Sequence, residues 1–332
     1  MASCKPVNVL HQCKISPLSG SAAPVATDIP PPSSTNFGNL SWPQDSYRPI
    51  IRYVNDDFIW LTVAESDADF SSLSGDHARD GNEAHTFVPH LPTSGLVVPV
   101  MAIQVTVFPN SGISIGVTNN HSFIDGRSMD HFIKRWLSTL SIPFLDRNLI
   151  KDPNGFEKIY LKELEAFMGS EASTATKLES ESYSNMTSFG TSIDCRARRE
   201  MDPLIRPTYS RNCVRPILVT GEKSKLLRED GVVVAAELRR GHSWIGEGKL
   251  LSMKLAGQNI AIAGSPQFGH YGMDFGWGRP KKVEYVSTNI TGAIFLKESR
   301  KLDGGVEIDV ALNKKEMYAF PSVFINKLKA AL

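Results

Sequence analysis

The sequence predicts an α/β protein of two domains. Three observations carry this. The chain has 332 residues, more than one small core needs. Two alternating segments around residues 102–118 run into an amphipathic helical pattern. After a Ser/Thr/Glu-rich stretch, a second region carries strand-like runs and a helical terminus.

The first alternating run is AIQVTVF (102–108), followed by the turn cluster Pro109-Asn110-Ser111-Gly112. In ISIGVT (113–118), Ile113, Ile115 and Val117 share one face. This predicts a β-hairpin with one half-buried face. NNHSFIDGRS comes next. Then Met129, Phe132, Ile133, Trp136, Leu137 and Leu140 form one stripe at the helical period. Ser128 is the expected N-cap. His121 therefore stands at the end of a strand, on a turn that feeds a helix.

Elsewhere the pattern is coarser. Residues 14–36, ending in DIPPPSSTN, read as loop, and residues 1–37 as largely irregular. IIRYVNDDFIWLTVA (50–64) is strand-like with a turn signal at Asn55-Asp56-Asp57, and 74–96 reads as loop. KIYLKELEAFMG (158–169) suggests a short helix. The expected organisation is 38–168 for the first domain, 169–186 for a crossover and 187–332 for the second. Within the second, GAIFLKES and GGVEIDVALN predict two strands joined by a Gly-containing hairpin loop. The terminal segment carries Met317, Phe320, Phe324, Leu328 and Ala331 near helical spacing, and Pro321 should kink or restart that helix.

Composition excludes several classes. Lys plus Arg is 36 and Asp plus Glu is 35, a formal charge of +1. That balance argues against a nucleic-acid or anionic-membrane partner. Cys4, Cys13, Cys195 and Cys213 show no CxxC spacing and fit reduced thiols in the cytoplasm. The N-terminal residues lack a continuous apolar core, so no secretory leader is expected, and no apolar run of about 18 residues is present. No third ligand stands near His121 at metal-site spacing, so no metal is expected.

Two His-x-x-x-Asp spacings occur, His121/Asp125 and His270/Asp274. His121 has the strand–turn–helix context that aims an imidazole into a cleft. An imidazole, with an unperturbed pKa of about 6.5, suits proton removal near neutrality. Asp125 could hold that ring in one tautomer, or turn away and pair with an arginine. His270 lies in a Gly/aromatic run, and its match reads as a coincidence. Asp274-Phe275-Gly276-Trp277-Gly278 reads as a tight turn whose aromatics plug a core, with Asp274 available to brace a site.

Together and in this order, the two elements resemble the BAHD family of plant acyl-CoA-dependent acyltransferases, marked by HxxxD mid-chain and DFGWG near the C-terminus. Here these are His121-Ser122-Phe123-Ile124-Asp125 with Gly126, and Asp274 to Gly278. QVTVFPNSGISIGVTNNHSFIDGRS and IAGSPQFGHYGMDFGWGRPKKVE resemble the branch that acylates anthocyanins and other phenolic glycosides. The resemblance covers most of the chain from Gly38. It implies a two-domain fold like chloramphenicol acetyltransferase, with mixed β-sheets flanked by helices. It implies a monomer using an acyl-CoA co-substrate, malonyl-CoA first, with no permanently bound cofactor.

By the same resemblance His121 is the general base acting on an acceptor hydroxyl. Asp125 points away and braces the loop, and Asp274 is mainly structural although the motif is often described as catalytic. Arg127 meets the acyl carboxylate. Ser128 and Asn212 are assigned with it to the donor side.

The chain also departs from the family pattern. The segment between Ile29 and Gly38 and that between Gly169 and Ser188 are short. The YFGNC-like motif reads Tyr209-Ser210-Arg211-Asn212-Cys213, and Asn120 precedes the catalytic-type His. These departures imply an alternative, a trimmed relative without catalysis. A hydrolase using His121 with a serine lacks a G-x-S-x-G elbow.

Overall fold

The computed structural model describes residues 7–16, 38–41, 50–52, 57–92, 97–137 except 122, 185–228 except 197 and 199–202, 258–286 and 293–331, with isolated positions at 158, 230, 231, 234 and 237. The short helix expected at 158–169 and most of the expected crossover lie outside these residues, as do 138–140 at the end of the predicted stripe.

Three sheets organise the described residues. The first has strand order β1-β4-β6-β7, formed by β1 (Asn8–Ile15), β4 (Ile59–Glu65), β6 (Met101–Phe108) and β7 (Gly112–Asn119). β4 and β6 run parallel, and the outer pairs are antiparallel. A small antiparallel sheet joins β3 (Ile50–Arg52), β2 (Asn39–Ser41) and β5 (Val97–Pro99).

The third sheet has order β12-β11-β10-β8-β9. Its members are β8 (Met186–Asp194), β9 (Val214–Glu222), β10 (Gln258–Ser265), β11 (Ala293–Glu298) and β12 (Val306–Val310). Its inner pairs are parallel and its edges antiparallel. Both larger sheets are thus mixed.

The predicted hairpin is β6/β7, in continuous register from Met101↔Asn119 to Phe108↔Gly112, with Asn110 left-handed at φ 58°. One expectation changes. β6 is covered on both faces, because it lies inside its sheet and the 3-10 turn Gly81–Phe87 reaches over its polar side. Gln104 Nε2 accordingly donates to the Thr86 carbonyl and to Thr106 Oγ1, satisfying polar groups that would otherwise be stranded.

The residues read as irregular at the N-terminus include β1, an edge strand paired with β4 from Asn8↔Glu65 to Ile15↔Ile59. Its burial does not alternate, and Val9 and Leu10 are half exposed, so no period-2 signal marks it. The helices are α1 (Phe70–Leu73), α2 (Gly126–Leu137), α3 (Lys223–Leu226) and α4 (Lys314–Ala331). Helix α4 runs unbroken through Pro321, so the expected restart is absent. The carbonyl of Met317 has no N–H from Pro321 to accept.

The main core joins the first and small sheets to α2. Leu40, Ile59, Val98, Met101, Ile103, Phe123 and Ile124 are buried there, and Met129 and Phe132 of α2 pack against them. A second cluster gathers Cys195, Ile205, Tyr209 and Cys213 beside β8 and β9. A polar strap links residues 73–80 to residues 279–301. Arg79 pairs with Glu284, Arg300 and Lys301 pair with Asp76, and Lys282 donates to the Gly75 carbonyl.

Candidate active site

β7 ends at Asn119, and the chain turns at once. The Asn120 amide donates to the Val100 carbonyl, and the Phe123 amide donates back to the Asn120 carbonyl, each at 2.9 Å. Phe123 and Ile124 then plunge into the core at 2% and 1% exposure. His121 rides on this turn and is exposed. Burying its two apolar successors fixes the backbone and leaves the imidazole outside. Asn212 adds a tether from the other sheet, its Nδ2 donating to the His121 carbonyl at 2.6 Å.

Asp125 faces inward. It is the N-cap of α2: Oδ1 accepts the Ser128 amide at 2.9 Å, and its own carbonyl accepts the Met129 amide. Ser128, expected as the cap, is instead the third helical residue. The second carboxylate oxygen of Asp125 accepts the Cys213 amide at 2.8 Å, and Arg196 Nη2 binds both oxygens at 3.1 and 2.8 Å. Of the two possibilities left open for Asp125, the structure takes the arginine.

Arg196 is the residue that sequence reasoning missed. Its side chain is fully buried at the end of β8. It donates to the Tyr209 carbonyl, to Ser128 Oγ, to the Arg211 carbonyl and to Asp194 Oδ1. A buried guanidinium is tolerated only with such complete pairing. No spacing marked it, because several arginines crowd residues 196–215.

The donor-side candidates divide. Arg127 keeps its side chain 39% exposed while Nη1 pairs with Asp194 Oδ2 at 3.0 Å. Asp194 thus bridges a half-exposed and a buried guanidinium. Ser128 is fully buried, with its hydroxyl donating to the Arg211 carbonyl. That makes it a brace of the turn, since it shows no surface to a ligand. Asn212 reaches the His121 carbonyl through its side-chain amide. Gly126 opens α2, and a Cβ there would touch the Phe268 ring at 3.4 Å.

DFGWG forms a separate loop. Asp274 Oδ1 accepts the Gly276 and Gly278 amides at 2.8 and 2.9 Å, and both glycines are left-handed at φ 92° and 93°. Among the described residues, Asp274 makes no hydrogen bond or ion pair to the His121 turn. Phe275 meets Trp136 of α2 edge-on at 6.2 Å. Trp277 is 71% exposed, so it plugs no core. Asp274 orders this loop, and the loop leans on the helix that carries the HxxxD turn.

Among the described residues no group of three His, Cys, Asp or Glu side chains is placed to hold a metal ion. No helix among them is long and apolar enough to cross a membrane.

Comparison with known proteins agrees with this layout. The model of the Transferase family matches residues 53–144 and 161–326. The malonyl-CoA:anthocyanidin 5-O-glucoside-6''-O-malonyltransferase of Arabidopsis thaliana is 31% identical over 376 aligned positions. That match takes in 86% of this chain and 82% of the relative. An alignment longer than the chain itself means that the relative has segments with no counterpart here. Phenolic glucoside malonyltransferase 1 of Nicotiana tabacum is 30% identical, covering 75% of this chain and 73% of its own.

Among solved structures, vinorine synthase superposes with a TM-score of 0.61 at 14% identity, covering 94% of this chain and 96% of that one. F. sporotrichioides TRI101, complexed with coenzyme A and T-2, gives 0.51 at 14% identity, covering 95% and 93%. The fold is therefore the two-domain, chloramphenicol acetyltransferase-like α/β architecture of acyltransferases, and the chain belongs to the Transferase family, the plant BAHD acyltransferases.

Proposed function

We propose that this chain moves an acyl group from an acyl-CoA thioester to a hydroxyl of a phenolic glycoside, with His121 as general base. The observation that carries the reading is the division of labour within the HxxxD turn. Asp125 is sealed against Arg196, and His121 stays exposed on a backbone tethered from both sheets. A base must be held in place yet reachable.

The relatives support the substrate class. Their names describe malonyl transfer to anthocyanidin and phenolic glucosides, and in one case coumaroyl transfer from coumaroyl-CoA.

In this mechanism His121 takes the proton of the acceptor hydroxyl as its oxygen attacks the thioester carbonyl. The tetrahedral intermediate collapses, the C–S bond breaks, and the CoA thiolate leaves, taking the proton back from the imidazolium. A thiol ionises with a pKa of about 8.5, so it is the better leaving group than the alkoxide. Arg127, with its side chain 39% exposed, would meet the free carboxylate of a malonyl donor.

The test is release of CoA thiol by the purified chain, offered malonyl-CoA or coumaroyl-CoA with a panel of flavonoid glucosides. Acceptor-dependent release that disappears in His121→Ala supports the reading. A folded protein giving no release with any pair favours a trimmed relative without catalysis. Release without any acceptor points to thioester hydrolysis.

A further inference from the structure

A second cluster of titratable groups lies where α2 meets the segment that leads into DFGWG. His270, in the 3-10 turn His270–Gly272, is buried between two carboxylates. Asp130 Oδ1 of α2 is 3.8 Å from Nε2, and Glu298 Oε2 of β11 is 3.8 Å from Nδ1. Among the described residues, Asp130 Oδ1, His270 Nδ1 and Glu298 Oε2 are buried with no hydrogen-bond partner. The Tyr285 hydroxyl beside them is a fourth such atom.

The charged groups around the ring are few. From α2, Lys134 binds Asp130 Oδ2 at 3.0 Å and also donates to the Phe268 carbonyl, and Arg127 lies further along the helix. From β11, Glu298 uses its other oxygen to accept the Tyr271 amide, and Lys297 is engaged by Asp309 at 2.7 Å. Tyr285 covers the ring from the segment after DFGWG. Neither carboxylate comes within charge-assisted hydrogen-bond distance of the imidazole. Such a bond between an imidazolium and a carboxylate would be about 2.7–2.9 Å long.

We propose that His270 and Asp130 are a positioning pair that fastens the HxxxD helix to the DFGWG segment. In mildly acidic solution they hold one proton on the Asp130 carboxyl beside a neutral imidazole, not as a His–Asp ion pair. The geometry favours this form. Both groups are nearly sealed, both contacts exceed ion-pair hydrogen-bond length, and a buried ion pair is stable only when its geometry is excellent. On folding in this range the proton passes from the imidazolium of the open chain to Asp130, whose Oδ2 still accepts from the Lys134 ammonium.

The titration directions agree. Burial pushes Asp130 up to about 6 even with Lys134 beside it, and burial pushes His270 down even with Glu298 beside it.

The signature is a pair of opposed pH slopes. On the acid side of about 6, and above the ordinary carboxylate range, the unfolded chain keeps the proton on His270 and the proposed folded form keeps it on Asp130. The proton counts match, and the pair adds no slope to stability. In His270→Gln, Asp130 alone has a folded pKa above its unfolded one. Its stabilisation is full at the acid end and is lost as pH rises towards 6. In Asp130→Asn, His270 alone has a folded pKa below its unfolded one, so stability is lost as pH falls below about 6.5. Each slope, taken relative to the unaltered chain, approaches tenfold in the unfolding constant per pH unit.

Urea unfolding of the full chain and both variants from pH 4 to 7 reads this directly, and it needs no turnover, so it stands apart from the acyl-transfer reading. Slopes parallel to the unaltered chain in both variants, or slopes of reversed sign, would overturn the proposal. Where a variant does not fold, NMR titration of the imidazole Cε1–H of His270 together with the carboxyl carbon of Asp130 in the unaltered chain reads the same proton. A neutral ring beside a protonated Asp130 at about pH 5 supports the proposal, and a charged ring or an ionised Asp130 there overturns it.

Discussion

The carboxylate of Asp125 meets the guanidinium of Arg196 at 2.8 Å, and both side chains are sealed from solvent at 1% and 0% exposure. The pair joins the turn after β7 to the end of β8, two elements 71 residues apart in sequence. Asp125→Ala would leave Arg196 buried without its main counter-charge, and would strand the Ser128 and Cys213 amides. Loss of one member of a buried pair costs about 3–5 kcal/mol. We expect a urea midpoint lowered accordingly. Arg196→Met combined with Asp125→Ala should recover part of that loss, because no buried charge is left unmatched.

What was legible in the sequence follows from this geometry. The β6/β7 hairpin and α2 each carry their own period, and local pattern suffices to find them. His121 inherited its candidacy from that context. Arg196 could not be found in the same way, because its role depends on two sheets coming together, and its neighbours in sequence are also arginines. β1 was missed because an exposed edge strand buries neither face and so has no reason to alternate. Trp277 misled because an aromatic between glycines suggests packing, while here the left-handed glycines hold it outward. The His270/Asp274 spacing is a coincidence, as the sequence context suggests: His270 faces Asp130 and Glu298, and Asp274 binds the glycines of its own loop.

Arg127 is held by Asp194 at 3.0 Å yet stays 39% exposed. A donor carboxylate arriving there would share the guanidinium with Asp194, and solvent screens the contact. Hydrogen bonds to charged groups contribute about 1.5–3 kcal/mol, and partial exposure puts Arg127 at the low end. Arg127→Ala should therefore lower kcat/KM for malonyl-CoA roughly tenfold while leaving coumaroyl-CoA within about twofold. Equal losses for both donors would assign Arg127 to general CoA binding or to support of the turn.

Gly116 lies in β7, three residues before the strand ends, where the Phe87–Val88 backbone crosses it. A Cβ at this position would fall 2.1 Å from the Phe87 carbonyl oxygen and 2.9 Å from the Val88 Cα. Both are main-chain atoms, so no side chain can swing aside. Either β7 shifts or the 3-10 turn Gly81–Phe87 lifts away, exposing the polar network of Gln104. Gly116→Ala should destabilise by about 1–3 kcal/mol, the usual cost of overpacking. Thermal unfolding measures this, and an unchanged midpoint would mean that the turn yields freely.

Cys195 and Cys213 sit side by side under the Asp125–Arg196 pair, with the Cys195 amide donating to the Cys213 carbonyl at 2.8 Å. Burial pushes both thiols up, Cys213 to about 12, in spite of the nearby guanidinium of Arg196. The thiolate is the reactive form, so at pH 8 its population at Cys213 falls roughly a thousandfold below that of an ordinary thiol. Among the described cysteines, mass-mapped alkylation of the folded chain should therefore label the half-buried Cys13 first and leave Cys213 unmodified until the chain unfolds. The same experiment reports on the brace. If Asp125→Ala loosens the junction without unfolding the rest, Cys213 labelling should accelerate while the Cys13 rate stays constant. Equal acceleration at both sites would show that the pair supports the whole fold and not the His121 turn alone.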